Sequence, residues 1–197
     1  MKKIAMILVL VIVLPLVYLI ITNYNNVPKL DEDVKEKWSQ VQNQYKRRAD
    51  LIPNLVSTVK GYAAHEKDTF IEVTEARSKV SQMNINADTL NNPAAMQQFT
   101  QAQAGLSGAL SKLMLVVEKY PDLKANANFM ALQSQLEGTE NRITVARKDF
   151  IASVKKYNIE LRTMPGKLVA AIAHPSASVK ETFKATQAEQ EAPKVQF

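Results

Sequence analysis

The chain contains no cysteine, and this absence excludes three kinds of chemistry. No disulfide, no thiolate metal site and no lipid-modified cysteine can form. Many exported bacterial proteins also lack disulfides, so the absence of cysteine leaves the cellular compartment open.

Glycine and proline are scarce, with 5 and 8 residues among 197. Sheets joined by many tight turns need more of both, so the composition favours long helices. The net charge is a moderate +6 and is spread along the chain. This charge suits a solvated surface, including one near anionic lipid, and it is not a signature of nucleic-acid binding. We therefore expect no nucleic-acid partner.

The sequence also lacks recognisable catalytic and metal-binding motifs. His65-Glu66 matches the start of the zinc-protease motif HExxH, but Thr69 occupies the position of the second histidine, and the only other histidine is His174. Zinc needs three or four convergent ligands. Asp50 lies about four helical turns from Glu66, too far for a general acid/base pair. There is no Ser-His-Asp set and no glycine-rich phosphate loop, so we expect a protein that is not an enzyme and needs no metal or cofactor.

The N-terminus carries the longest uncharged run, the 18 residues Ile4–Ile21. Such a run nearly spans the hydrocarbon core of a bilayer. Residues 19–24 lack the small side chains of a signal-peptidase site, which favours an uncleaved anchor over a cleaved signal peptide. Lysines precede the run and acids follow it, so the positive-inside rule places the N-terminus in the cytoplasm. We predict a cytoplasmic segment 1–3, a transmembrane anchor 4–22 and a polar tether 23–30.

Apolar residues then recur every three or four positions in three long stripes, the pattern of amphipathic helices. The first runs from Val34 to Val80, the second from Met96 to Tyr120 and the third from Leu123 to Leu161. Short breaks between them require antiparallel neighbours. The predicted fold is all-α: an antiparallel bundle of three long helices plus a short fourth helix, in a domain spanning 31–174. We expect the tail, residues 175–197, to be partly extended or loosely ordered.

The segment RRADLIPNLV lies within the first stripe and is unusual, because Pro53 falls in the interior of a predicted helix. Proline there costs roughly 3 kcal/mol, and we expect packing by neighbouring helices to offset this cost. Arg48 lies at the edge of the stripe, so we favour pairing with a carboxylate of another helix, with Arg47 facing solvent. The alternative is that Arg47, Arg48 and Asp50 form a docking patch for an acidic partner or lipid headgroups.

Polar residues beside the stripes indicate contacts between helices. Arg77 and Arg147 each follow an alanine at a stripe position, and Glu66, Gln133 and Glu140 lie at or beside stripe positions. Arginine binds carboxylates through a planar fork of donors. We predict at least one Arg–Glu or Arg–Gln contact between the first and third long helices, which would fix their register. A ligand site built from the same residues is the alternative.

Several segments resemble the LemA family of bacterial membrane-anchored proteins. They are DEDVKEKWSQV at 31–41, QYKRRADLIPNLVSTVKGYAAHE at 44–66, EAR at 75–77, YPDLKAN at 120–126, FMALQSQL at 129–136, ENRITVAR at 140–147 and the terminal PKVQF. The resemblance implies a single-pass protein of the bacterial cytoplasmic membrane with a long antiparallel helical bundle, and the positive-inside rule places that bundle outside the cytoplasm. The sequence departs from the family at 172–175, where IAHP replaces the usual Gly-Phe and following aromatics.

The resemblance implies no established enzymatic activity. We expect a non-enzymatic membrane-anchored adaptor or scaffold, which presents its bundle for self-association or for a membrane or envelope protein partner. One alternative is an accessory factor in envelope stress or membrane-protein quality control alongside a membrane protease, which only the family's association suggests. A second alternative is a homo-oligomer that organises the membrane.

Overall fold

The computed structural model describes residues 2–83 and 86–183, and within them all regular structure is helical. The expectation of an all-α protein is therefore confirmed for the described residues. The helices are α1 (Lys2–Lys60), α2 (Lys67–Gln82), α3 (Pro93–Val117), α4 (Pro121–Lys124), α5 (Ala127–Arg162) and α6 (Gly166–Ala173), with a 3₁₀ helix at Ala87–Asn91.

Helix α1 is 59 residues long and includes the segment 23–30 that we expected to be a tether. Asp31 does not start a helix, because the helix already passes through it. The physical reason is that this segment has core contacts of its own. Val27 is buried in the same cluster as Trp38, and Asp31 pairs with Lys180 from the tail.

The first stripe is divided between two helices, which corrects the prediction of three long ones. The chain leaves the helix after Lys60 and turns at residues 61–66 before α2 begins. The Arg77 Nε lies 2.8 Å from the Ala49 carbonyl oxygen, whereas 28 residues of continuous helix would separate them by about 42 Å. Helix α2 therefore folds back along α1, and four helices of at least 16 residues form the bundle.

Contacts between helices show their directions. Along α1 and α5, Tyr62 bonds Asn126 at one end and Trp38 stacks on Phe150 towards the other, so these two helices are antiparallel. Helices α2 and α3 are also antiparallel, as the ion pairs of Glu72 with Lys112 and of Glu66 with Lys119 show. The stripes form two apolar clusters. One is centred on Ile52, Leu106 and Phe129, and the other on Trp38, Phe99 and Phe150.

Two helices are capped at their N-termini by asparagine side chains. Pro93 occupies the first turn of α3, and the Asn92 side chain accepts hydrogen bonds from the next two free backbone N–H groups. Helix α5 is capped in the same way by Asn126. Helix α6 starts tightly against the end of α5, because a side chain at Gly166 would collide with the carbonyl oxygen of Glu160.

The tail is more ordered than we expected over the part that is described. Residues 175–183 are non-helical, but Phe183 is buried among core aromatics and Lys180 is buried against α1 and α5. The rest of the predicted tail, 184–197 with its PKVQF terminus, lies outside the described residues.

Within the described part of the chain, the structure contains no helix with both the length and the apolarity needed to cross a membrane. The predicted transmembrane anchor at 4–22 is therefore not supported by the structure, although those residues are helical as part of α1.

Candidate functional site

Arg48 lies at the centre of the bundle, where α1, α3 and α5 meet. Its side chain is only 2% exposed, and its Nη1 lies 2.9 Å from Glu140 Oε1 and 3.0 Å from Ser107 Oγ. Its Nη2 donates to the side-chain oxygen of Gln103, and its guanidinium lies 5.1 Å from the centroid of the Tyr45 ring. The predicted Arg–Glu contact between an arginine of the first stripe and a glutamate of the third is confirmed. The same contact confirms the favoured interpretation of Arg48.

This junction joins three helices through one planar group. Arginine has donors only, so the oxygen of the Gln103 amide must face Arg48 and the amide nitrogen must point away. Among the described residues, Gln103 Nε2 and Arg48 Nε have no hydrogen-bond partner. Because Glu140 is 44% exposed and stays partly hydrated, the junction does not resemble a closed ion-pair site tuned for proton transfer.

Pro53 and Arg77 are connected through the backbone carbonyl of Ala49. Residue 53 of a helix normally donates its backbone N–H to the carbonyl of residue 49, and proline has no N–H to donate. The Ala49 carbonyl would be left without its helical partner, and Arg77 Nε donates to this oxygen at 2.8 Å. Pro53 itself is exposed. Neighbouring helices therefore do not cover the proline ring, and the hydrogen bond from α2 satisfies the carbonyl that Pro53 leaves without a donor.

The tail closes over an aromatic cluster. The Phe183 ring lies 5.7 Å from that of Phe150 and 6.1 Å from that of Trp38, and the Arg147 guanidinium lies over the Phe183 ring, 4.3 Å from its centroid. Arg147 also acts on Tyr45: burial raises the pKa of the Tyr45 hydroxyl, and the positive charge of Arg147 offsets only part of the increase.

The cation–π contact between Arg147 and Phe183 joins α5 to the tail. Nothing in the sequence pattern marked Phe183 beyond its being an aromatic residue in a polar tail.

An ion pair between buried Lys180 and partly exposed Asp31 is a second contact that holds the tail on the bundle. Lys180 Nζ lies 2.8 Å from Asp31 Oδ1 and 5.0 Å from the Tyr157 ring centroid. Asn158 donates to the Lys180 carbonyl and accepts from its N–H, both at 2.9 Å. Burial raises the pKa of the Asp31 carboxyl, but hydrogen bonds from Lys180 and Lys35 outweigh it and lower the pKa overall.

The remaining predicted residues are not brought together. Arg47 and Asp50 are exposed on α1, Glu66 lies 3.7 Å from Lys119, and Gln133 bonds Glu137 of its own helix. A role for them in binding a partner stays a prediction.

A groove of about 450 Å³ lies beside the junction, lined by Tyr45, Lys46, Asp50, Met83 and Gln103 among others. Within the described residues, no three histidine, aspartate or glutamate side chains are grouped closely enough to hold a metal ion. The described lining residues of the groove include one cation and one anion but no histidine, and they offer no nucleophile paired with a base. Its chemistry is that of a crevice between helices.

Besides exposed apolar residues elsewhere on the bundle, such as Leu115 and Val145, two groups of them lie near one end of it. The first is the N-terminal part of α1, where those described include Ile4, Leu10, Leu14 and Ile21. The second is α6 and the turn before it, with Met164, Leu168 and Ile172. Exposed apolar residues grouped in this way mark contact surfaces.

A four-helix core joined by an arginine junction, with an apolar N-terminal extension, defines a helical-bundle protein. The chain belongs to the LemA family: the family model matches residues 37–197.

Three named relatives match most of this chain. The magnetosome protein MamQ 2 of Paramagnetospirillum magneticum is 26% identical over 170 residues, covering 78% of this chain and 62% of its own length. MamQ of Magnetospirillum gryphiswaldense is 27% identical over 169 residues with the same coverage. LemA of Metamycoplasma hominis is 23% identical over 163 residues, covering 82% and 70%. The match thus spans less than two thirds of the MamQ proteins, and none of these names states a reaction.

Proposed function

We propose that the protein is a non-enzymatic scaffold attached to a membrane through the N-terminal part of α1. The observation that carries the proposal is the change along this one helix. From Val27 to Val59 it buries a continuous stripe in the bundle, whereas the apolar side chains described before Thr22, such as Ile4, Leu10 and Ile21, face the surroundings, with Leu14 62% exposed. Burying one such side chain in an apolar environment is worth about 1.5–3 kcal/mol, so several together provide a strong drive towards lipid.

The rest of the molecule supports a scaffold rather than an enzyme. The charged groups of the interior are used to join helices: Arg48 links α1, α3 and α5, and Arg77 links α2 to α1. Side chains committed in this way hold a surface in shape and are not available for a reaction. The names of the relatives, magnetosome protein and LemA, fit a protein without a stated reaction.

Flotation with phospholipid vesicles tests the attachment. The full chain should rise with vesicles in a density gradient. A variant with Leu10→Glu and Leu14→Glu should stay in the dense fraction, since two carboxylates on the apolar segment oppose insertion. The matched control is Leu115→Glu with Val145→Glu, which adds the same charge at two exposed positions of the bundle and should leave flotation unchanged. A full chain that stays dense, or a Leu10/Leu14 variant that floats equally well, would overturn the proposal.

The proposal also includes an orientation of the chain in the membrane. A single pass at 4–22, with residues 1–3 in the cytoplasm and the bundle outside it, follows from the lysines before the segment and the acids after it. A reporter fused after Phe197 should be active outside the cytoplasm, and activity only inside would contradict this topology.

Self-association, a membrane-protease partner and membrane organisation are distinguished by crosslinking in intact cells followed by mass spectrometry. Crosslinks between copies of the chain support the oligomeric forms of the proposal, and crosslinks to a protease support the quality-control form. Ordered arrays of the purified full chain are expected only if it organises membrane.

A further inference from the structure

Helix α6 carries an apolar face that the bundle does not cover. Leu168 and Ile172 are four residues apart and therefore lie on one side of the helix, where they are 54% and 76% exposed. Met164, in the turn before the helix, is exposed as well. The opposite side is formed by Gly166 and Ala170, which are buried against the bundle. One face of α6 therefore packs on the bundle, and the opposite face is exposed.

The position of α6 indicates what covers the bare face. The helix ends at His174, whose ring lies 4.9 Å from that of Tyr24 and whose Nε2 lies 3.0 Å from the Tyr24 carbonyl oxygen. Tyr24 is the point on α1 where the exposed apolar side chains end, directly after Ile20 and Ile21. The apolar face of α6 therefore lies beside the segment proposed to enter the membrane, at the level where α1 would leave it.

The exposed charges carried by α6 and the turn before it are positive, while the Glu160 side chain lies against the buried Gly166. The stretch 161–179 contains no aspartate or glutamate, and its cations Arg162 and Lys167 are exposed. Exposed Lys29 on α1 adds a third cation near the same level. Leucine and isoleucine beside lysine and arginine, with a tyrosine at the boundary, are the side chains of an element that lies in the interface of an anionic bilayer.

We propose that α6 is a second membrane contact, in which Leu168 and Ile172 enter the interface of the same anionic bilayer that holds α1. The inference rests on the proposed function, because it needs the N-terminal part of α1 in that bilayer. Two contacts instead of one fix the tilt of the bundle, so the long helices have a defined orientation relative to the lipid surface.

The absence of cysteine in the chain allows a direct test. Single variants Leu168→Cys and Ile172→Cys are made in the full chain and labelled with an environment-sensitive fluorophore. Val145→Cys is the matched control, since Val145 is also exposed, at 58%, but lies in the middle of α5. Each protein is added to vesicles of phosphatidylcholine with phosphatidylglycerol, with and without bromine on the lipid chains as a quencher.

We expect a blue shift and several-fold quenching by brominated lipid at positions 168 and 172, and neither at 145. Vesicles of phosphatidylcholine alone should quench the α6 labels less, because Arg162 and Lys167 then lack an anionic surface; equal quenching would overturn their assignment. If the protein floats with vesicles while its α6 labels stay in water, the inference is wrong and the proposed function stands. If α6 labels are shielded before lipid is added, another copy of the chain covers the face and the inference is overturned. A protein that does not float at all contradicts the proposed function itself.

Discussion

Replacing Arg77 by methionine should destabilise the bundle strongly only as long as Pro53 is present. Arg77 donates to the Ala49 carbonyl, which Pro53 deprives of its helical partner. Ala49 is 7% exposed in the folded protein, so its carbonyl depends on a partner within the bundle. Leaving a buried acceptor unsatisfied costs about 1–3 kcal/mol, and we expect R77M to lower the free energy of unfolding by about 2 kcal/mol.

The double variant gives the decisive comparison. P53A restores a backbone N–H at position 53, which can bond the Ala49 carbonyl within α1. In that background the carbonyl no longer depends on Arg77, and R77M should cost no more than about 0.5 kcal/mol, as surface substitutions usually do. The coupling free energy of the cycle is then about 1–2 kcal/mol, within the range found for residues that share one partner.

Chemical denaturation of the full chain in detergent, followed by circular dichroism, measures all four proteins. Arg47→Met is the matched control, because Arg47 is exposed on α1, the helix of Ala49 and Pro53, and its loss should be nearly neutral in both backgrounds. The reasoning is refuted if R77M costs the same with and without Pro53, since the arginine would then act through packing or charge and not through the orphaned carbonyl.

Three further predictions concern the core and the tail. Arg48→Met should cost about 2–3 kcal/mol in a denaturant melt, and Glu140→Gln only about 1 kcal/mol, because the arginine is buried while the glutamate is partly hydrated. Phe183→Ala should cost about 3 kcal/mol by removing an aromatic ring from a filled cluster. The pKa of Asp31 is lowered in the folded protein. Its pair with Lys180 therefore stabilises the fold fully above the ordinary aspartate pKa of about 3.9, and this stabilisation is lost as the pH falls through the lower folded pKa. Thermal melts across this pH range should show a flatter pH dependence of stability for Asp31→Asn than for the parent.

Each of these has an outcome that contradicts it. An Arg48→Met protein as stable as the parent would show that the junction does not hold the three helices. Val179→Ala, at an exposed tail position, serves as the control for Phe183→Ala, and equal effects would mean that the tail does not depend on its buried ring. If Asp31→Asn leaves the acid side of the stability profile unchanged, other carboxyls account for it.

Much of the core could be predicted from the sequence, because helical periodicity depends on local spacing alone. The residues of the first stripe, such as Val34, Trp38 and Ile52, are buried as their spacing indicates. The contact of Arg48 with a glutamate of the third stripe could be predicted for a similar reason, since a charged residue at a buried edge needs a partner.

Other features could not be predicted, because they depend on where the chain reverses. The apolar spacing of the first stripe continues through residues 61–66, but the backbone there is not helical. Only the tertiary structure shows that α2 returns along α1. The partner of the Ala49 carbonyl follows from that reversal, as it brings Arg77 within hydrogen-bond distance. The role of Phe183 was missed because one aromatic residue in a polar tail has no periodicity to mark it.

The sequence by itself determined the helical class, the buried stripes, the lack of thiol chemistry and the apolar character of the N-terminal segment, because each of these is a property of residue types and their local spacing. The tertiary structure alone decided that four long helices form the bundle, that a carbonyl freed by proline is satisfied from another helix, and that α6 lies beside the apolar end of α1. These are contacts between residues far apart in the chain, and their geometry exists only once the helices have packed.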